Sequence, residues 1–299
     1  ETRKKICTMT EVSTPSVQDD KMTLTLFVMP GSQYSGKVIA ALDSREIPHY
    51  VSFVDFNAKT RKLPSGNTMV PELLVEYKQE QDGEDGEKRE PFILADSDAI
   101  LKWLDETFDT KLCPTEKSWE LTRRASSNFL GGAVLYYNWV NDVGYQRTMR
   151  KAIVKGMIPS FVPTFVSNPF ADWQLGPERT KHKSKTAKMM GVTEAELEDE
   201  PTIRAKLKAE LLFFQALFES EDQMYLMPGM DKPSGVDCSV YVMLERLVSN
   251  GGMGDVPLDP SIPEFRQETS DELTAMWKWY DHMREHHPIQ FKGKRPSKN

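Results

Sequence analysis

The chain has 299 residues, 39% hydrophobic and 28% charged, which reads as a soluble globular protein of one large or two ordinary domains. Its net charge of −7 and pI near 5.4 argue against nucleic acid or an anionic membrane as partner, since either favours a basic face. No apolar run approaches the ~18 residues that cross a bilayer, and three dispersed cysteines (Cys7, Cys113, Cys238) give neither a disulfide framework nor a zinc motif and suit a reducing compartment.

Residue 1 is Glu rather than Met, which reads as a processed chain or a fragment, so an organellar address stands beside a cytoplasmic one. Residues 1–21 have little apolar periodicity and read as a mobile tail. From Thr23 to Phe108 short apolar strands alternate with helical patterns. The expected order is strand 23–28, helix 34–45, strand 48–54, an irregular stretch 56–68, strands 70–76 and 91–95, and helix 97–107. Between the last two strands lies "YKQEQDGEDGEKRE" (77–90), a charged loop with turn signals.

After Cys113-Pro114 the pattern becomes long amphipathic helices. They are expected at 116–142, at 193–220 behind a Thr193/Glu196 capping box, at 234–250 behind Ser234/Asp237, and at about 264–286. The stretch "GMIPSFVPTFVSNPFADWQLGP" (156–177) has prolines that oppose helix and aromatic residues that favour burial. It would cover a pocket, dock a protein, or pad the domain. The expected division is a tail over 1–21, an α/β domain over 22–110, an all-helical domain over 115–290 and a tail over 291–299.

Three short pieces of the first domain carry chemistry. "SQYSGK" (32–37) opens a helix, where unpaired amides stabilise an anion. Ser32 is then either a functional hydroxyl or an N-cap, Ser35 is a first-turn residue, and Lys37 a solvated one. Val70-Pro71 begins a strand, where a proline loses no ladder donor and a cis bond is allowed, leaving the Val70 backbone free to pair with an extended ligand. Asp96-Ser97 sits where a strand hands over to a helix and suits an amino-acid head group, or merely caps that helix. In the second domain Tyr136, Tyr137 and Trp139 cluster on one helix, as core or as part of a pocket. His282 and His286 stand four apart but lack a third ligand, so no metal site is expected.

In this order the pieces resemble the soluble glutathione transferase superfamily, from residue 23 nearly to the end, with "DKPSGVDCSVYVMLERL" similar to its capping-box helix. The resemblance implies a thioredoxin-like α/β N-terminal domain followed by an all-α helical bundle. It implies glutathione as co-substrate, with Ser32 as the catalytic hydroxyl of a serine-type, tau-like or related class. Val70, before Pro71, would pair with the cysteinyl backbone, and Asp96 and Ser97 would bind the γ-glutamyl end, with Tyr34 alongside. Tyr136, Tyr137 and Trp139 would help hold a small hydrophobic electrophile. A cytoplasmic detoxifying homodimer is the implied setting, with 156–177 a candidate protein contact. Phe27-Val28-Met29 supplies no phenol where other classes have one, and serine replaces the cysteine of thiol-transfer members. The alternative is a non-catalytic homologue serving as ligand carrier or assembly subunit. A glutathione-dependent reductase or ether-cleaving enzyme would share the same site.

Overall fold

The computed structural model describes residues 22–29, 31–54, 63–77, 89–152, 154, 161–249, 259–289 and 293–294. The expected tail 1–21, most of the loop 77–90, the start of 156–177 and most of 291–299 lie outside them. Strand β1 (Met22–Val28) alternates buried Leu24, Leu26 and Val28 with half-buried neighbours, as a strand with one core face must. It pairs in parallel with β2 (Tyr50–Phe53) and antiparallel with β3 (Glu72–Tyr77), which pairs antiparallel with β4 (Phe92–Ala95). A two-residue strand β5 (Gly293–Lys294) extends the sheet beside β2, giving the order β4-β3-β1-β2-β5.

Helix α1 (Gln33–Ser44) follows β1 and α2 (Ser97–Phe108) follows β4, so this part is a thioredoxin-like α/β unit as the sequence implied. The remainder is mostly helical: α3 (Glu116–Ser127), α4 (Phe129–Leu135), α5 (Asp142–Tyr145), α6 (Thr164–Met190), α7 (Glu200–Gln215), α8 (Gly235–Val248), α9 (Phe265–Glu268) and α10 (Thr274–His286). One continuous apolar cluster runs from β1 and α1 through α8 to α10. Helix α8 is its axis, buried on nearly every side and packed on both α1 and α3.

Four sequence expectations need correction. The helix over 116–142 is broken at Asn128, whose φ of −113° and ψ of −139° are not helical; beyond it the backbone passes into wider turns at Tyr136–Val140. The break lets the chain fold back closely, since a Cβ at Gly131 would lie 2.2 Å from the Ser126 carbonyl oxygen. The Thr193/Glu196 box forms, with Thr193 N donating to Glu196 Oε2 (2.8 Å) and Glu196 N to Thr193 Oγ1 (3.2 Å). It opens only the short turn Glu196–Glu198, however, and α7 starts at Glu200 under Asp199. The helix over 264–286 is likewise interrupted between α9 and α10.

The prolines of 156–177 do not exclude helix. Pro169 and Pro177 lie inside α6, and Arg179 fastens that helix by donating to the Trp139 and Val140 carbonyls (2.9 and 3.1 Å) and to Asp142 (2.6 Å).

The box at α8 forms as expected and goes further. Asp237, fully buried, accepts from Ser234 N (2.8 Å), Ser234 Oγ (2.5 Å), Leu226 N (2.7 Å) and Trp279 Nε1 (2.8 Å), joining α8, α10 and the loop before α8. Among the described residues no helix is long and apolar enough to cross a membrane.

Candidate functional site

Strand register alone brings the three pieces together. Phe27 lies opposite Glu72 and Glu72 opposite Ala95, so the end of β1, the start of β3 and the end of β4 share one edge of the sheet. The turn leading to Ser32, the Val70-Pro71 pair and Asp96-Ser97 therefore meet there. Two links fix the arrangement. Asp96 N donates to the Pro71 carbonyl at 3.3 Å, and the buried Lys37 ammonium of α1 is paired with the Asp98 carboxylate of α2.

Ser32 is the N-cap of α1, with φ −76° and ψ 116°, and its Oγ accepts from Ser35 N at 3.3 Å. This consumes a lone pair and leaves the hydroxyl proton, which no acceptor takes among the described residues. Ser32 is 6% exposed. Ser35, one turn deeper, is fully buried, and its hydroxyl has no partner among the described residues.

Tyr34, half-buried on the first turn, has its phenol pKa raised by burial first and then by the negative charges of Asp98 and Asp96. It stays protonated and is a donor beside that acidic corner.

The Val70–Pro71 bond is cis, as the sequence allowed. The β3 ladder starts only at Glu72, so among the described residues nothing pairs with the Val70 N–H or C=O. Glu72 itself is fully buried and grips the preceding turn, accepting from Ser65 N at 3.2 Å and from the Ser65 hydroxyl.

Asp96 has φ +86°, a backbone state that side chains rarely adopt. Its Oδ1 accepts from Asp98 N (2.8 Å) and Ala99 N (3.4 Å), so it caps α2. The same carboxylate is exposed and Ser97 beside it is buried. A strained, solvent-facing Asp thus caps α2 at the strand-to-helix corner, at the end of the sheet from which β1 leads to Ser32.

Lys37 was expected in solvent; the structure buries it completely, paired with Asp98 and 3.4 Å from Ser126 Oγ on α3. Sequence reasoning missed it because lysine is seldom buried. The one available signal was its position between Gly36 and Val38 on an apolar helix.

Tyr136 and Tyr137 sit in the main core at 2% and 0% exposure, their rings edge-on at 4.8 Å, beside Glu200 and, for Tyr137, Arg204 of α7. Trp139 belongs to a separate cluster with Tyr145, Met149 and Leu175 and stacks on His182 at 4.5 Å. These three residues therefore do not form one lining. Cys113 and Cys238 are buried, each thiol pushed up to about 12 chiefly by burial, which makes both poor thiolates. No group of His, Cys, Asp or Glu among the described residues would hold a metal.

The sequence model of the glutathione S-transferase N-terminal domain family matches residues 26–112, the stretch that contains the whole convergent edge. Residues 26–112 are a glutathione S-transferase N-terminal domain. No curated protein matches the chain by sequence. Among solved structures, the chain is similar to a glutathione S-transferase from Xylella fastidiosa (16% identity, 89% of this chain and 95% of that one, TM-score 0.41). It is also similar to FzlA from C. crescentus (17%, 92% and 96%, TM-score 0.46). A maleylacetoacetate isomerase from Anaeromyxobacter dehalogenans with bound GSH gives 18%, 92% and 99%, with TM-score 0.40. Likenesses this distant assign neither a substrate nor a class to the transferase-type domain.

Proposed function

We propose that the protein binds glutathione along the edge formed by Ser32, Val70-Pro71 and Asp96-Ser97, and uses its thiolate in transferase chemistry on a small hydrophobic electrophile. The observation that carries this reading is the convergence itself, fastened by the Asp96 N to Pro71 O bond, inside a glutathione S-transferase N-terminal domain. In this reading the unpaired Val70 N–H and C=O receive the cysteinyl backbone. The exposed Asp96 carboxylate and Ser97 take the γ-glutamyl ammonium and carboxylate, and the Tyr34 phenol adds a donor.

The Ser32 hydroxyl then donates to the sulfur. A free thiol of pKa ~8.5 is only about 3% ionised at pH 7. Lowering that by about two units takes roughly 2.7 kcal/mol of preferential thiolate stabilisation. One hydrogen bond to a charged group, about 1.5–3 kcal/mol, with the α1 N-terminus adding about 0.3–1, is of that size. The enzyme's contribution is ionisation and positioning, and a cytoplasmic homodimer remains the proposed setting.

One observation favours a second reading. Ser32 is nearly buried and already caps α1, which suits a homologue that keeps the fold and binds without turnover. Calorimetry with glutathione on wild type, Ser32→Ala and Asp96→Ala, together with turnover of a chloronitrobenzene, separates the two. The catalytic reading expects binding in wild type, weaker binding in Asp96→Ala, and turnover lost in Ser32→Ala. Binding without turnover selects the second reading, and no binding removes both.

A further inference from the structure

The N-terminal half of α6 and the residue approaching it expose Phe161 (85%), Phe165 (78%), Val166 (48%), Phe170 (49%) and Trp173 (76%). Among the described residues these are five of the ten large apolar side chains left exposed. The helix is already anchored without them: Ser167, Ala171 and Leu175 recur every four residues and face the protein. Phe165, Val166, Phe170 and Trp173 project from the other side, the last two rings touching each other at 6.0 Å between centroids. A patch this dense marks an interaction surface rather than scattered exposure.

Charge identifies the partner. The net charge of −7 is an average over the chain, and residues 147–190 carry nine Lys or Arg against two Asp or Glu. Within 161–177 the single charge, Asp172, is committed to Arg150 (3.2 Å) and the Tyr145 hydroxyl (3.0 Å). Arg147, Lys151, Arg179 and Lys183 are paired with carboxylates of other segments. Lys185 and Lys188 have no carboxylate partner among the described residues, and Lys181, 75% exposed, has only Glu178 at 3.6 Å. The outer side of α6 thus runs from an uncharged Phe/Trp stretch to exposed lysines.

The geometry points to α6 as a peripheral membrane-docking helix that lies on an anionic lipid surface. Aromatic side chains would enter the boundary between headgroups and acyl chains, while lysines meet the anionic headgroups. A protein partner of acidic character would use the lysines but has no need of four exposed aromatic rings, and a second copy seated ring on ring would leave the lysines unused, so a homodimer is assigned to another face. The site at Ser32 plays no part in this inference.

The test is flotation of the full-length protein with vesicles of phosphatidylcholine containing phosphatidylserine, against phosphatidylcholine alone. Wild type is expected to float with the anionic vesicles and to be released by salt. Phe165→Ser/Trp173→Ser is expected to weaken partition at least about tenfold, and Lys185→Glu/Lys188→Glu by about tenfold or more. Met224→Ser, an exposed apolar residue elsewhere, should leave it unchanged, and circular dichroism confirms that each variant is folded. Failure of wild type to bind, or equal binding by the aromatic double variant, overturns the proposal. So does a dimer in sedimentation that the aromatic variant converts to monomer without any vesicle binding, since the patch would then be a self-interface.

Discussion

The Lys37 ammonium of α1 and the Asp98 carboxylate of α2 form an ion pair in which the lysine is completely buried and the aspartate about one-third exposed. Ser126 on α3 is also in reach of the lysine, so the pair joins the two helices that open the candidate site to the helical part of the chain. Removing only the carboxylate leaves a buried charge without a partner, which costs about 3–5 kcal/mol. Asp98→Ala is expected to lower unfolding stability by roughly 3 kcal/mol, at the low end because Asp98 meets water. Lys37→Met/Asp98→Leu should recover most of that loss. Urea unfolding checks both, and a double variant as unstable as Asp98→Ala would show that packing rather than charge makes the contact.

Asp237 gathers four donors from three segments in a site with no water access. Asp237→Ala orphans all four and removes the N3 half of the α8 capping box while the Ser234 cap on the residue 237 amide remains, so about 3–5 kcal/mol of stability should be lost. Asp237→Asn keeps the shape but adds donors where only acceptance works, and should recover less than half. Thermal unfolding of the two variants measures the difference.

Gly235 opens α8 against the loop that carries Cys113. A Cβ there would stand 2.5 Å from Cys113 Sγ and 3.2 Å from Thr122 Oγ1, so Gly235→Ala overpacks this corner and should cost about 1–3 kcal/mol. Cys113→Ala makes room, and the double variant is expected to be more stable than Gly235→Ala alone. If the two losses simply add in denaturant unfolding, the crowding is not at the sulfur.

The His182 ring stacks on Trp139 and its pKa is lowered to about 4, by burial first and then by Lys185 and Lys181, against Glu178. The folded value lies below the unfolded one of ~6.5, so the fold binds fewer protons between them. Stability from the neutral ring is complete above ~6.5 and falls as pH drops towards 4. Subtracting the pH profile of His182→Gln from that of wild type should leave a decline confined to this window. A flat difference would mean that the ring takes up its proton equally in the folded and unfolded chains.

Local chemistry made much of this legible. A short apolar run located β1, and the Ser-x-x-Asp box located α8, because each is a pattern over neighbouring residues. The candidate edge was legible for the same reason: helix starts and a strand-entry proline have local signatures. What failed was long-range. Lys37 looked solvated because its partner lies sixty-one residues away, and α6, which holds two prolines, is tied through Arg179 to the Trp139 and Val140 carbonyls forty and thirty-nine residues away. The exposed aromatic residues of α6 read as burial-seeking, and only their actual exposure revealed a free surface.

Ser32 holds two roles that substitution separates. Its oxygen caps α1, worth about 0.5–2 kcal/mol, so Ser32→Ala should lose both that stability and any turnover. Ser32→Asp keeps an accepting cap but has no proton to give, and its negative charge opposes a thiolate beside it. Turnover reduced at least about a hundredfold, beyond what any loss of stability from placing a carboxylate at this nearly buried position explains, is therefore the expected result for Ser32→Asp, on the scale of losing one donor to a developing anion. Ser32→Thr retains both oxygen and proton and should keep part of the activity. Turnover that tracks stability through all three variants would reduce Ser32 to a cap, and the sulfur would then need another donor.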